Sequence, residues 1–186
     1  TEGFETPAFE GKFDGAMRIA SLIDRRAGRQ LVKDGQALNR IVCYENKPHA
    51  HDAWDINIYY SRRHWEVDQV TSARVIDAGP VLARVRVQYA YQSSTISQDV
   101  LIYRDLPRVD FETTADWREK QYLLKAHFPV DLFYNEATYD IQYGNIRRVT
   151  HKNTSWDVAR FEVCAHKWAD VSEDGYGVSL LNDCKY

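Results

Sequence analysis

The chain has 186 residues, 44% of them hydrophobic and 13% aromatic, with 24 basic and 27 acidic side chains and a formal net charge of −3. A chain of this length buries roughly 70% of its unfolded surface, so it can build a core without staples, and its composition is far from that of a disordered segment. The small, evenly spread charge argues against nucleic acid or anionic lipid as a partner, and no apolar run approaches the roughly 20 residues of a bilayer span.

In chain order, residues 1–15 read as an extension or edge segment ahead of a β domain over 16–186. The opening TEGFETPAFEG has neither the basic nor the apolar stretch of a signal peptide. Strands are predicted at 17–23, 39–44, 74–77, 81–89, 95–104, 109–117, 122–130, 138–143, 160–165 and 177–181. The clearest alternation puts Val81, Ala83, Val85, Val87 and Tyr89 on one face and Leu82, Arg84, Arg86 and Gln88 on the other. A second puts Val109, Phe111, Thr113, Ala115 and Trp117 opposite Asp110, Glu112, Thr114 and Asp116. If these two strands are neighbours, arginines and carboxylates pair across their solvated face. Turn chemistry at Asp24–Gly28, Asp34–Gly35, Ala78–Pro80, Leu106–Pro107, Gly144–Asn145 and Asp174–Gly175 separates the strands. There is no long 3.6-residue period and no internal repeat, so the expected fold is all-β, an antiparallel β-sandwich.

Two aperiodic stretches, YENKPHAHDAW (Tyr44–Trp54) and HKNTSWD (His151–Asp157), read as loops on that scaffold, where binding residues concentrate. His49 and His51 have H-x-H spacing, with Asp52 and Asp55 close by, but no third anchored metal ligand is evident. Glu112, Asp116, Glu119, Asp170, Glu173 and Asp174 are the carboxylates from which a glycosidic acid and base pair would be drawn, although alternating charges also make a solvated strand face. Cys43, Cys164 and Cys184 lack metal or disulfide spacing and suit a reducing, cytoplasmic setting. Tryptophans beside hydrogen-bonding residues, as in DAWD, SWD and KWAD, suit either a carbohydrate surface or ordinary core packing.

The runs HDAWDINIYY (His51–Tyr60), ATYDIQYG (Ala137–Gly144), HKNTSWDVARFEVCAHKWADVSEDGYG (His151–Gly177) and LLNDCKY (Leu180–Tyr186) carry a more specific signal. Together they resemble the C-terminal β region of glycoside hydrolase family 38 α-mannosidases of the bacterial and cytosolic type. The resemblance implies a supersandwich similar to galactose mutarotase-like domains, with LLNDCKY as a severed edge. It also implies a parent enzyme that hydrolyses terminal α-D-mannosides with retention, using a nucleophile and a zinc-like divalent cation in an N-terminal catalytic barrel that this chain lacks. No catalytic residue and no metal ligand is therefore carried onto this chain.

What the resemblance does carry over is three clusters: Asp52, Trp54 and Asp55; His166, Trp168 and Asp170; Asn182, Asp183 and Lys185. They match family motifs and would line the active-site cleft or hold the barrel interface; otherwise they fix loops within the sandwich. The implied partners are the catalytic barrel of the same polypeptide and mannose-containing glycans, with no nucleic acid or membrane. An exposed strand edge would also allow a homo-oligomer. An independent carbohydrate-binding module and a mutarotase-like epimerase are the competing readings.

Overall fold

The computed structural model describes residues 2–51 and 54–183. Eleven strands come first: β1 (Gly3–Glu5), β2 (Phe9–Phe13), β3 (Ile19–Asp24), β4 (Arg29–Gln30), β5 (Arg40–Glu45), β6 (His64–Glu66), β7 (Val70–Ala78), β8 (Leu82–Tyr91), β9 (Ser94–Tyr103), β10 (Val109–Asp116) and β11 (Tyr122–His127). A 3-10 helix (Ile58–Arg62) precedes β6. Then follow β12 (Glu136–Ile141), β13 (Gly144–Val149), the short helix α1 (Ser155–Ala159), β14 (Trp168–Glu173) and β15 (Tyr176–Leu181). The chain divides into two compact units, Thr1–Pro129 and Val130–Tyr186. All strand pairing among the described residues is antiparallel, in agreement with the all-β expectation.

The first unit holds three sheets, ordered β1-β2-β3-β4, β10-β9-β8-β7 and β11-β5-β6. Alternation decides which faces meet. Val85, Val87 and Tyr89 of β8 and Ile96, Val100 and Ile102 of β9 pack with Ile41 and Cys43 of β5 in one buried cluster, so two sheets close face to face. Phe111 and Trp117 pack against the same cluster from beside β9. Residues 3–13, within the expected edge segment, form β1 and β2 at one side of the first sheet.

The predicted charge pairing occurs, but through an intervening strand. β9 lies between β8 and β10, and its Asp99 accepts from Arg86 Nε and Nη2 at 2.7 and 2.8 Å and from Arg84 Nη1 at 3.0 Å. Arg84 then reaches across to Glu112 on β10 at 2.9 Å. Under these arginines Asp99 is only 6% exposed.

The second unit is one sheet, ordered β13-β12-β14-β15. Here the structure corrects three expectations. Residues 160–165, predicted as a strand, form no ladder, and Val163 and Cys164 are exposed: alternation without a partner strand does not make a sheet. The turn expected at Gly144–Asn145 falls one step earlier, with Tyr143 at φ 63° and Gly144 already paired with Ile141 in β13. The loop expected through Asp157 turns helical at Ser155, because Thr154 accepts from the Asp157 N–H while Asp157 accepts from the Thr154 N–H, a complete capping box.

Candidate functional site

Alternation on the β11-β5-β6 sheet puts Ile41 and Cys43 into the core and turns Arg40, Val42 and Tyr44 to the opposite face. Register then fixes their neighbours. Lys125 and His127 stand opposite Val42 and Arg40 on one side, and Glu66 and His64 opposite Val42 and Tyr44 on the other. The Tyr44 hydroxyl and His127 Nε2 lie 2.8 Å apart, and Lys125 Nζ donates to the Tyr60 hydroxyl at 2.9 Å from β11. Tyr60, Tyr44 and His64 pack ring against ring, with centroids 5.1 and 5.5 Å from Tyr44.

Electrostatics in this cluster follow from burial and from two cations. Burial pushes the His127 imidazole below its ordinary range, and Arg40 and Lys125 add to the effect. A neutral His127 can accept from the Tyr44 hydroxyl at Nε2 or donate to it, according to its tautomer. Burial likewise pushes the Tyr44 phenol up. Glu66 is bridged by Arg40 and by Arg18, the latter at 3.4 Å. The result is a wall of cation and phenol groups that hold one another in place.

Residues 54–57 lead into the 3-10 helix that carries Tyr60 of this cluster. The His51 carbonyl accepts from Trp54 N at 2.9 Å and Asp55 N at 3.0 Å, with His51 itself at φ 56°, and Asn57 Oδ1 caps the 3-10 helix through Tyr59 N. Trp54 is 84% exposed, and Asp55 is exposed beside it in sequence. Where the chain leaves β5, Asn46 is 8% exposed and its Oδ1 is buried without a hydrogen-bond partner among the described residues. Asp52 lies outside the described residues.

In the second unit, β14 and β15 gather the other candidates. Trp168 and Asp170, two residues apart, share a face of β14. Asp170 accepts from Ser172 Oγ at 2.6 Å and from Ser179 Oγ at 2.7 Å, and Trp168 pairs with Leu181. His166 N donates to the Asp140 carbonyl at 3.0 Å, Lys167 N to Asp140 Oδ2 at 3.1 Å, and Asn182 N to the Lys167 carbonyl at 2.8 Å. Asp183 is exposed just beyond β15, and Lys185 lies outside the described residues.

The model of the glycosyl hydrolases family 38 C-terminal domain matches residues 8–186. The chain belongs to that family. It is 40% identical over 175 residues to α-mannosidase G of Dictyostelium discoideum, covering 91% of this chain and 16% of that protein. It is 39% identical over 179 residues to human α-mannosidase 2C1, covering 94% of this chain and 17% of that protein. The chain thus spans about a sixth of the length of these relatives. The crystal structure of an α-mannosidase from Enterococcus faecalis V583 superposes with a TM-score of 0.76 at 14% identity, over 98% of this chain and 23% of that one, a likeness of fold.

Within this family 38 domain, the candidate residues fall into two groups on two units. Trp54 and Asp55 belong to a loop of the first; His166, Trp168, Asp170, Asn182 and Asp183 follow one strand pair of the second. Five of the six carboxylates considered for acid and base roles, all but Asp174, are engaged in structural contacts, Asp170 through Ser172 and Ser179. Glu112 pairs with Arg84 and Asp116 with Arg118, Glu119 accepts from Ser93 and Ser94, and Glu173 accepts from Phe133 N. Among the described residues no group of three or more His, Cys, Asp or Glu is placed to hold a metal. Sequence reasoning missed Tyr44, Tyr60, His64, Lys125 and His127 as a cluster. The signal available was polar residues at alternate positions of two otherwise apolar strands.

Proposed function

We propose that this family 38 domain is the non-catalytic β region of a retaining α-mannosidase, and that it supports one wall of the cleft in which the parent polypeptide hydrolyses terminal α-D-mannosides. The family match across residues 8–186, together with relatives about six times longer that are named α-mannosidases, carries this reading. The Trp54 side chain, exposed just ahead of the 3-10 helix that carries Tyr60, is the part of this domain best suited to meet a pyranose face. In the retaining mechanism a carboxylate attacks the anomeric carbon, an acid protonates the leaving oxygen, and water releases the covalent sugar. Those two carboxyl groups belong to the catalytic barrel of the parent, which is also where the reading puts a zinc-like cation to act as Lewis acid and template for sugar hydroxyls. This domain supplies no proton and no nucleophile; it orients the substrate and excludes water. Free Cys43 and Cys164 suit a reducing, cytoplasmic setting.

The test is hydrolysis of an aryl α-mannoside by the full-length polypeptide, with the released anomer followed by proton NMR. Retention in the full-length protein and no turnover by this chain alone is the expected result. Absence of hydrolysis by the full-length protein overturns the parent assignment, and mutarotation of fresh α-galactose by the chain replaces it with an epimerase. For the cleft role, Trp54→Ala, His166→Ala and Asp183→Ala should each lower kcat/KM. Unchanged kcat/KM with a lowered melting temperature leaves them as structural residues only.

A further inference from the structure

Between the start of β7, the end of β8 and the edge of the β5-β6-β11 sheet is a surface pocket of about 400 Å3, lined by Trp65, Asp68, Gln69, Tyr91, Gln92 and Tyr122 among others. We propose that this pocket binds a neutral saccharide, with a pyranose ring laid on the Trp65–Tyr122 wall and its hydroxyls taken by Asp68, Gln69 and Gln92.

Three observations carry the proposal. First, the aromatic wall is built in advance. Trp65 meets Tyr122 edge to face at 5.7 Å, Tyr122 meets Tyr91 at 6.5 Å, and Tyr91 stacks on Trp117 at 5.9 Å, so each ring is fixed by the next. Such rings pay little ordering cost on binding. The Trp65 side chain nevertheless keeps 38% of its surface open.

Second, the floor is pinned by the backbone. Ala90 N donates to the Gln69 carbonyl at 3.0 Å, which ties the segment before β7 to the end of β8, and Gln92 sits at φ 49° in the β8–β9 turn. The two glutamines are therefore presented from anchored chain. Amide groups of this kind both donate and accept, as a sugar hydroxyl requires.

Third, the charge of the lining selects the ligand. Among the described lining residues there is no Lys or Arg, which disfavours phosphate and carboxylate ligands. Glu66, also in the lining, is already bridged by Arg40 and Arg18, and the Arg63 guanidinium sits 5.7 Å from the Trp65 ring centroid. That leaves Asp68 as the carboxylate not joined in an ion pair among the described residues, too little charge to make a cation cage. An aromatic platform with a few convergent amide and carboxylate groups fits a neutral polyol best.

The proposal draws on the α-mannosidase reading only for the choice of α-mannobiose as first probe. Calorimetric titration of α-mannobiose into the full-length polypeptide should show a binding component that Trp65→Ala weakens about tenfold or more and that Trp65→Phe retains. Asp68→Ala, at an exposed position, should weaken the same component and serves if Trp65→Ala fails to fold. An isotherm unchanged by both substitutions overturns the proposal. So does binding of tetramethylammonium, but of no saccharide, through Trp65. Hydrolysis assayed on the unaltered protein separates the two readings. Turnover without a Trp65-dependent component removes the pocket alone, and a Trp65-dependent component without turnover removes the α-mannosidase reading alone.

Discussion

The two units of this chain use the same kind of antiparallel strand and differ in what lies behind it. In the first, Val85, Val87, Ile96, Val100 and Cys43 are almost wholly buried, and three sheets share their apolar faces. In the second, Ala137 is the one buried apolar residue among those described, while Phe133, Tyr134, Trp156 and Leu181 are exposed. A unit of about 60 residues is already at the size where burial barely offsets chain entropy. The second unit is therefore held chiefly by its strand ladder and by local caps.

The sharpest way to break that contrast is to cut equivalent side chains in both. Ile96→Ala, at 1% exposure between Tyr89 and Ala115, should cost about 3 to 4 kcal/mol, since the cavity it leaves is closed on all sides. Leu180→Ala, at 46% exposure, should cost under about 1 kcal/mol. Denaturant unfolding of this chain, read by hydrogen exchange so that each unit reports separately, checks both numbers. Equal losses at the two positions would mean that the second unit has a core of its own.

A smaller effect separates charge from packing inside the first unit. Asp99 is covered by Arg84 and Arg86, yet both arginines keep water contact, so Asp99→Ala should cost about 2 kcal/mol rather than the larger loss of a fully buried pair. The Arg86 hydrogen bonds hold the Asp99 carboxyl below the usual carboxylate range, burial opposes them, and Arg84 adds to them. A depressed folded-state pKa contributes stability that is present above the unfolded value near 3.8 and is lost as the pH falls from there through the folded value. Acid melting curves of Asp99→Ala should accordingly fall less steeply below about pH 4 than those of the unaltered chain.

How much of this was legible in the sequence follows the same division in part, since β1, β2, β4 and β6 of the first unit also passed unread. Where a strand has one face on a core and one toward solvent, as β8 does, alternation is legible. Val85, Val87 and Tyr89 against Arg84 and Arg86 gave both the strand and its faces, although not the intervening β9 that receives the arginines. Where no core enforces a face, the pattern misled: residues 160–165 alternate without a partner, and β13 and β14 passed unread. The site divides differently. Trp54, Asp55, His166 and Asp170 stand in contiguous motifs, so a resemblance finds them. Tyr44 and His127 meet across 83 residues of chain, and Trp65, Tyr91 and Tyr122 come from three strands, so register alone brings each set together.

The most local predicted effect tests the claim that local chemistry holds the second unit. Helix α1 has five residues, none of them buried, so packing contributes little and the capping box contributes most. Thr154 accepts from Asp157 N at 3.2 Å and donates to Asp157 Oδ2 at 2.7 Å, while Asp157 Oδ2 accepts from Thr154 N at 3.0 Å. Thr154→Ala removes one half of the box and should cost about 1 kcal/mol, confined to this turn. Faster amide exchange at residues 155–160, with β14 and β8 unchanged, is the expected result. A loss that spreads through β12 and β14 would instead make the cap a keystone of the whole sheet, and a packed core behind α1 would then have to explain why.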